Sequence, residues 1–247
     1  MTYAMKSGCW LAAAWIGLTV SAARSETIED VEKKVHELTK DVRTVKADFR
    51  TTMNYPNGAG YSVSEGKLEE MLDGQRFVAN RYGKKEETLT LGGKEKKDST
   101  EFLQVCDGRA QWIQETLMGR QVVYKRRPNS GPSFGGRLFP ELKRSFTLEL
   151  APDARVAEQA CWVVVARPQE PSTENGSVSH AIYYLRRVDG LVAKTEVYLR
   201  GQEKPFSTTL YSNYETNVTI DPVRFTYKVP EGFYLVDETV DVPPIQP

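Results

Sequence analysis

The sequence predicts a mainly β protein with few helices, in which one amphipathic helix precedes a single antiparallel sheet. Three observations carry that reading. Between residues 28 and 42, Ile28, Val31, Val35, Leu38 and Val42 recur at three- and four-residue steps, the period of one helix face. Residues 45–54 then alternate strictly, with Val45, Ala47, Phe49, Thr51 and Met53 on one side and Lys46, Asp48, Arg50, Thr52 and Asn54 on the other. That is the two-residue period of a strand with one apolar face. From there to the C-terminus, almost every segment between Gly, Pro, Asn and Asp turn signals reads as a further strand.

Each element has a local reason. Thr27, with Asp30 three residues later, supplies a capping signal at the helix start. Pro56-Asn57-Gly58 turns the chain after the first strand. Strands are then expected at 61–72, 76–82, 101–106, 110–116, 121–125, 144–151, 161–167, 179–188, 191–200, 205–214 and 224–229. Asp189-Gly190 marks the clearest hairpin, because an Asp-Gly pair accepts the positive φ angles of a tight turn. Two stretches read as exposed, loop-like insertions: 84–101, crowded with Lys and Glu around a Gly92-Gly93 hairpin tip, and 168–179, rich in Pro, Ser, Thr, Glu and Gly.

The first residues read as an export signal. Lys6 is the sole charge before Arg24, and an apolar run from Cys9 to Val20 leads into Ser21-Ala22-Ala23. A charged start, a short apolar core and small residues at the end describe a secretory signal peptide, with cleavage expected after Ala23. The run falls short of the about 20 residues that span a bilayer. Cys9 precedes the apolar core, so it is not a lipid-attachment cysteine. The expected product is a periplasmic, soluble chain of one domain, residues 24–247. It carries 32 basic against 33 acidic residues, a net charge of −1, and nucleic acid is not an expected partner at that balance. Cys106 and Cys161 remain after cleavage. In an oxidising compartment a disulfide between them and a pair of separate buried thiols are both open.

The search for chemistry yields no catalytic residue, cofactor or metal site. His36 and His180 are the two histidines, and neither has Cys or His neighbours at ligand spacing. Gly131-Pro132-Ser133-Phe134-Gly135 matches the Gly-x-Ser-x-Gly pattern of an esterase nucleophile. That turn requires a strand-to-helix setting which this chain lacks. Glu69-Glu70 and Glu86-Glu87 are adjacent on strands and so point to opposite faces. Gly92-Gly93-Lys94-Glu95 lacks the spacing of a phosphate-binding loop.

Three segments resemble the LolA family of outer-membrane lipoprotein-sorting carriers: Val45-Lys46-Ala47-Asp48-Phe49-Arg50, Val105-Cys106-Asp107-Gly108-Arg109-Ala110-Gln111-Trp112, and Asp221–Gly232 with the acidic ending Val236-Asp237-Glu238. The resemblance covers about residues 28–238 and keeps the family's order. It implies an incomplete, half β-barrel whose concave face is covered by the N-terminal helix and a short helical lid near 136–144, including Arg137, Leu138, Phe139 and Leu142. An apolar cavity for acyl chains is implied beneath them, and strand parity assigns Phe49, Met53, Trp112, Phe146, Leu148, Tyr184, Phe225 and Tyr227 to its lining. The implied partner is an acylated lipoprotein or lipid, handed between inner- and outer-membrane transfer partners by a monomer without covalent chemistry. The insertion at 84–101, the basic run 120–137 and the two cysteines depart from the family pattern. An envelope sensor or protein-binding scaffold built on the same fold is the competing reading, since one fold serves many functions.

Overall fold

The computed structural model describes residues 26–74, 76–117, 119–128, 134, 138–169 and 177–239. The signal segment, Ser133 and Arg137 lie outside the described residues, as does most of the 168–179 stretch.

Helix α1 (Ile28–Thr39) begins where the capping signal places it. The Thr27 side chain accepts from the Asp30 amide, and the Asp30 carboxylate accepts from the Thr27 amide, so two of the helix's unpaired donors are satisfied at once. Val31 and Val35 are buried, while Leu38 is largely exposed.

Twelve strands form one open sheet. In chain order they are β1 (Thr44–Asn54), β2 (Gly60–Asp73), β3 (Arg76–Leu91), β4 (Lys94–Cys106), β5 (Gln111–Leu117), β6 (Arg120–Arg126), β7 (Phe146–Val156), β8 (Gln159–Pro168), β9 (Val178–Arg186), β10 (Val192–Leu199), β11 (Ser207–Thr216) and β12 (Tyr234–Asp237). A six-residue helix, α2 (Leu138–Lys143), separates β6 from β7. The order across the sheet is β12-β6-β5-β4-β3-β2-β1-β11-β10-β9-β8-β7. It is thus two meanders, β1–β6 and β7–β11, joined where β1 pairs antiparallel with β11. The neighbours are antiparallel except for β12, which runs parallel to β6.

The structure corrects several sequence expectations. Residues 84–101 are not a loop: Lys84–Leu91 and Lys94–Glu101 pair in continuous register through the Gly92-Gly93 turn. Their heavy charge marks a largely exposed hairpin, of which Thr88 is buried and Lys85 and Glu87 are half-buried. Residues 224–229 are not a strand either. Pro222–Phe225 form a 3-10 turn capped by the Asp221 side chain, which accepts from the Val223 amide, and the last strand comes later, at β12. Around Asp189-Gly190 the loop is four residues, 187–190, closed by the Arg186 amide donating to Leu191 O. Finally, Cys106 and Cys161 are both buried free thiols, on β4 and β8 with six strands between them in the sheet order.

Gly66 and Gly83 mark a crease in the sheet. They face each other across β2 and β3, and a Cβ on Gly66 would lie 1.9 Å from Tyr82 O, one on Gly83 2.0 Å from Glu65 O. Only residues without a side chain permit that approach.

Candidate functional site

Register assigns the two faces of the sheet, because residues directly opposite on neighbouring strands share a face. One face carries Val45, Ala47 and Phe49 of β1, Leu68 of β2, Arg81 of β3, Gln104 of β4, Ile113 of β5 and Tyr124 of β6. Continued through β11 to β7, it carries Tyr211, Tyr183, Val164 and Leu150. This is the face the helices cover.

The helices cover one part of this face, and Phe134, between β6 and α2, is buried on another part of it against Val45, Leu191, Leu72 and Phe77. Val31 and Val35 of α1 pack with Leu138, Phe139 and Leu142 of α2 against Trp162, Val164, Leu185 and Val192, and that cluster includes no residue of β2–β6. Ion pairs tie the helices in place. Glu26 accepts from Trp162 Nε1 at 2.9 Å and Arg187 at 3.1 Å and also pairs with Lys34, while Lys143 of α2 reaches Glu32 of α1 at 2.5 Å. The Lys34 bond, aided by Trp162 and Arg187, holds the Glu26 carboxyl below its ordinary value. Beneath the helices, burial pushes the Tyr183 hydroxyl up to about 12 and raises Tyr211 and Tyr214. All three are neutral at any physiological pH. A cavity of about 350 Å³ opens between α1 and α2, lined by Glu29, Glu32, Lys33, Val35, His36 and Phe139 among others. Its charged rim makes it a poor acyl site.

Beyond this cover the face is a trough. Phe49 is 4% exposed and Leu68 3%, while Met53, Phe102, Ile113 and Tyr124 are half-buried. The Phe49 and Phe102 rings meet edge to face with centroids 6.0 Å apart, over the glycine crease. Toward the 84–101 hairpin the face becomes polar: Lys85 pairs with Glu87 at 3.2 Å, and Tyr55 donates to Glu87. The trough therefore runs from an apolar end to a charged one. Arg81 stands within it, its guanidinium carbon 4.1 Å from the Phe49 ring centroid.

The residues selected from the sequence do not share one surface. Phe49, Met53, Phe146 and Leu148 lie on the helix-covered face. Tyr184 points the opposite way, donating to Glu196 at 2.9 Å beneath the Lys194 ammonium. Trp112 is also on the far face, where Tyr227 stacks on it at 5.4 Å, and Phe225 is buried there against Val78 and Ile220. Parity misled because the C-terminal segment, residues 218–227, buries part of the convex side. On β3–β5 the far face buries Val78 and Val105 and carries Trp112, while the helix-covered face carries Arg81 and Gln104, so apolar alternation no longer tells inside from outside. Trp112 Nε1 donates to Asp107 at 3.0 Å, and Asp107 also accepts from the Arg109 and Ala110 amides, so this motif builds a turn rather than a binding surface. Sequence reading missed Leu68, Arg81 and Phe102. The signal that could have found them is the isolated glycine inside each neighbouring strand pattern.

His180 stacks on Tyr198 at 4.4 Å, and burial lowers its pKa. Among the described residues, no group of His, Cys, Asp and Glu is placed to hold a metal. Among them too, no helix is long and apolar enough to cross a membrane.

No protein-family profile matches the chain, and no curated protein does. Solved structures are similar to it at low identity. An uncharacterized conserved protein from Thermus thermophilus is 12% identical, with 85% of this chain and 98% of that one covered and a TM-score of 0.48. MucB in the Pseudomonas aeruginosa MucA/MucB complex is 13% identical over 81% of this chain and 60% of that one, at 0.43. A putative outer membrane lipoprotein-sorting protein domain from Vibrio parahaemolyticus is 12% identical over 79% and 94%, at 0.39.

Proposed function

We propose that the chain is an exported, periplasmic carrier that shelters the acyl chains of a lipid or lipoprotein on the concave face of its sheet, without covalent chemistry. The observation that carries this reading is the partial cover. Among the described residues, α1 and α2 close one part of the concave face, Phe134 lies on Val45, Leu72 and Phe77, and beyond them Phe49, Leu68, Phe102 and Ile113 wall an apolar trough.

The energetics suit a transfer protein. Burying an acyl chain is worth about 0.8 kcal/mol per CH₂, so a chain of about fifteen carbons gains roughly 12 kcal/mol on leaving water. Helix α2 has six residues, too few to be stable alone, and it is held by three buried side chains, Leu138, Phe139 and Leu142. Each contributes about 1.5–3 kcal/mol by burial. One acyl chain therefore outweighs the contacts of the lid. A chain long enough to extend from the trough under the helices displaces α2, and α2 returns when cargo leaves.

Mass spectrometry of lipid extracted from protein purified from its native envelope tests the proposal. Recovery of a defined acylated species at about one per chain is expected. Repeated recovery of lipid-free protein that also takes up no acyl chain or lipoprotein in vitro would overturn it and favour the sensor or scaffold reading.

A further inference from the structure

Arg81 is an unusual arginine for this chain. Among the described residues, other arginines reach a carboxylate within ion-pair distance, several of them more than half exposed. Arg81 does not, although it is shielded in the trough. Its Nε is sealed from solvent with no hydrogen-bond partner. Its bond from Nη2 to Thr51 Oγ1 is 3.5 Å long and at the limit of the interaction. Glu70 lies diagonally opposite on the same face, and its charge and that of Arg81 both reach the Tyr211 hydroxyl. That long-range field leaves the sealed Nε donor unfilled. A guanidinium withdrawn from water with donors unfilled is destabilising, so a position that keeps one invites an acceptor from outside.

The setting defines that acceptor. The row Leu68, Arg81, Gln104, Ile113, Tyr124 runs across β2 to β6, which places the guanidinium between apolar neighbours, with one amide beside it. The Phe49 ring centroid lies 4.1 Å from the guanidinium carbon, and a guanidinium that gains an acceptor can make a planar, two-pronged contact. Arginine makes such contacts with carboxylate and phosphate. An inorganic anion would find no use for the surrounding apolar walls; an anionic group attached to a long chain satisfies both.

We propose that Arg81 selects the cargo: the trough takes amphiphiles whose acyl chain adjoins a carboxylate or phosphate, in preference to neutral ones of the same length. This rests on the carrier reading and adds the class of ligand to it. Lys85, further along the same face, is already paired with Glu87 and does not compete for the group.

The test is displacement of a neutral fluorescent monoacylglycerol from the purified full chain, below micellar concentrations, by hexadecanoic acid, hexadecyl phosphate and hexadecanol. Both acids are expected to displace the probe at least about tenfold more tightly than the alcohol, as charge-assisted hydrogen bonds require. The carboxylate and phosphate arms distinguish a free fatty acid from a phospholipid-like headgroup. Arg81→Gln should erase the preference, read as the ratio of acid to hexadecanol affinity within the variant, and Arg81→Lys should recover part of it. Equal affinity for acid and alcohol in the unaltered protein overturns the proposal without any variant, as does a preference that survives Arg81→Gln in protein of normal circular dichroism. If the neutral probe itself does not bind, the carrier reading fails and this proposal with it; if it binds without headgroup preference, only this one does.

Discussion

Phe49 of β1 and Phe102 of β4 touch edge to face at 6.0 Å although two strands lie between them. In a flat sheet three strand spacings amount to roughly 14 Å, so the contact depends on the crease at Gly66 and Gly83 together with the reach of the two rings. The concave trough exists because those two positions lack a side chain.

Adding one should flatten or strain the crease. Gly83→Val puts a Cβ 2.0 Å from Glu65 O and 2.7 Å from Gly66 Cα, and backbone cannot yield as a flexible side chain does. A loss of about 2–3 kcal/mol is expected, read as a lower urea midpoint. A midpoint equal to that of the unaltered protein would show that the crease does not need glycine.

Phe139 is 3% exposed in α2 and packs on the helix-covered part of the sheet. Phe139→Asp places a carboxylate in that apolar contact, which is costly without a partner. Release of a bound fluorescent acyl probe should accelerate by about tenfold or more, while the far-ultraviolet circular dichroism of the sheet is preserved. Unchanged release kinetics would mean that the bound chain does not extend under α2.

At the other edge, Lys125 pairs with Asp237 at 2.7 Å and Arg126 with Glu238 at 2.6 Å, fastening β12 to β6. The Lys125 bond, helped by Thr239, lowers the Asp237 carboxyl from its ordinary 3.8 to about 2. A carboxyl depressed by folding contributes above its unfolded value and loses that contribution as pH falls through the folded one. The attachment of β12 should therefore hold above about pH 4 and weaken toward pH 2. Chemical shifts of the Val236 amide, followed by NMR, should titrate near 2; a midpoint at 3.8, or no change from Asp237→Asn, would rule out this clasp.

Burial raises the pKa of both Cys106 and Cys161, which suppresses the reactive thiolate. Without reductant, the chain from Arg24 onward should react slowly with a thiol reagent when native and yield two thiols once unfolded. Recovery of no thiols in the unfolded protein would establish the disulfide instead.

The β7–β8 hairpin turns on Ala157 (φ 44°) and Glu158 (φ 66°), a left-handed pair that side chains disfavour. Glu158→Gly should raise stability by about 1 kcal/mol, with a higher melting temperature as the readout. A lower one would show that Arg155, which reaches Glu158, matters more than the backbone.

Local chemistry was legible from the sequence wherever a few neighbouring residues settle the outcome. Thr27 and Asp30 cap α1, the alternation of Val45, Ala47 and Phe49 buries those residues along β1, and Gly92-Gly93 turns a hairpin. These follow from the geometry of adjacent residues, and no distant contact can easily override them. What only the tertiary structure decided is which distant pieces meet. The β1–β11 pairing joins two meanders that the sequence presents far apart. The C-terminal segment hides Trp112 and Phe225 on the convex side, so strand parity no longer reports the inside. Arg81, one exposed-looking cation among many in the sequence, becomes a shielded guanidinium over Phe49 with an unfilled donor, because the sheet bends at glycines on β2 and β3. Burial and pairing are properties of the assembled surface, and a period of two along one strand carries no information about what the other strands bring to it.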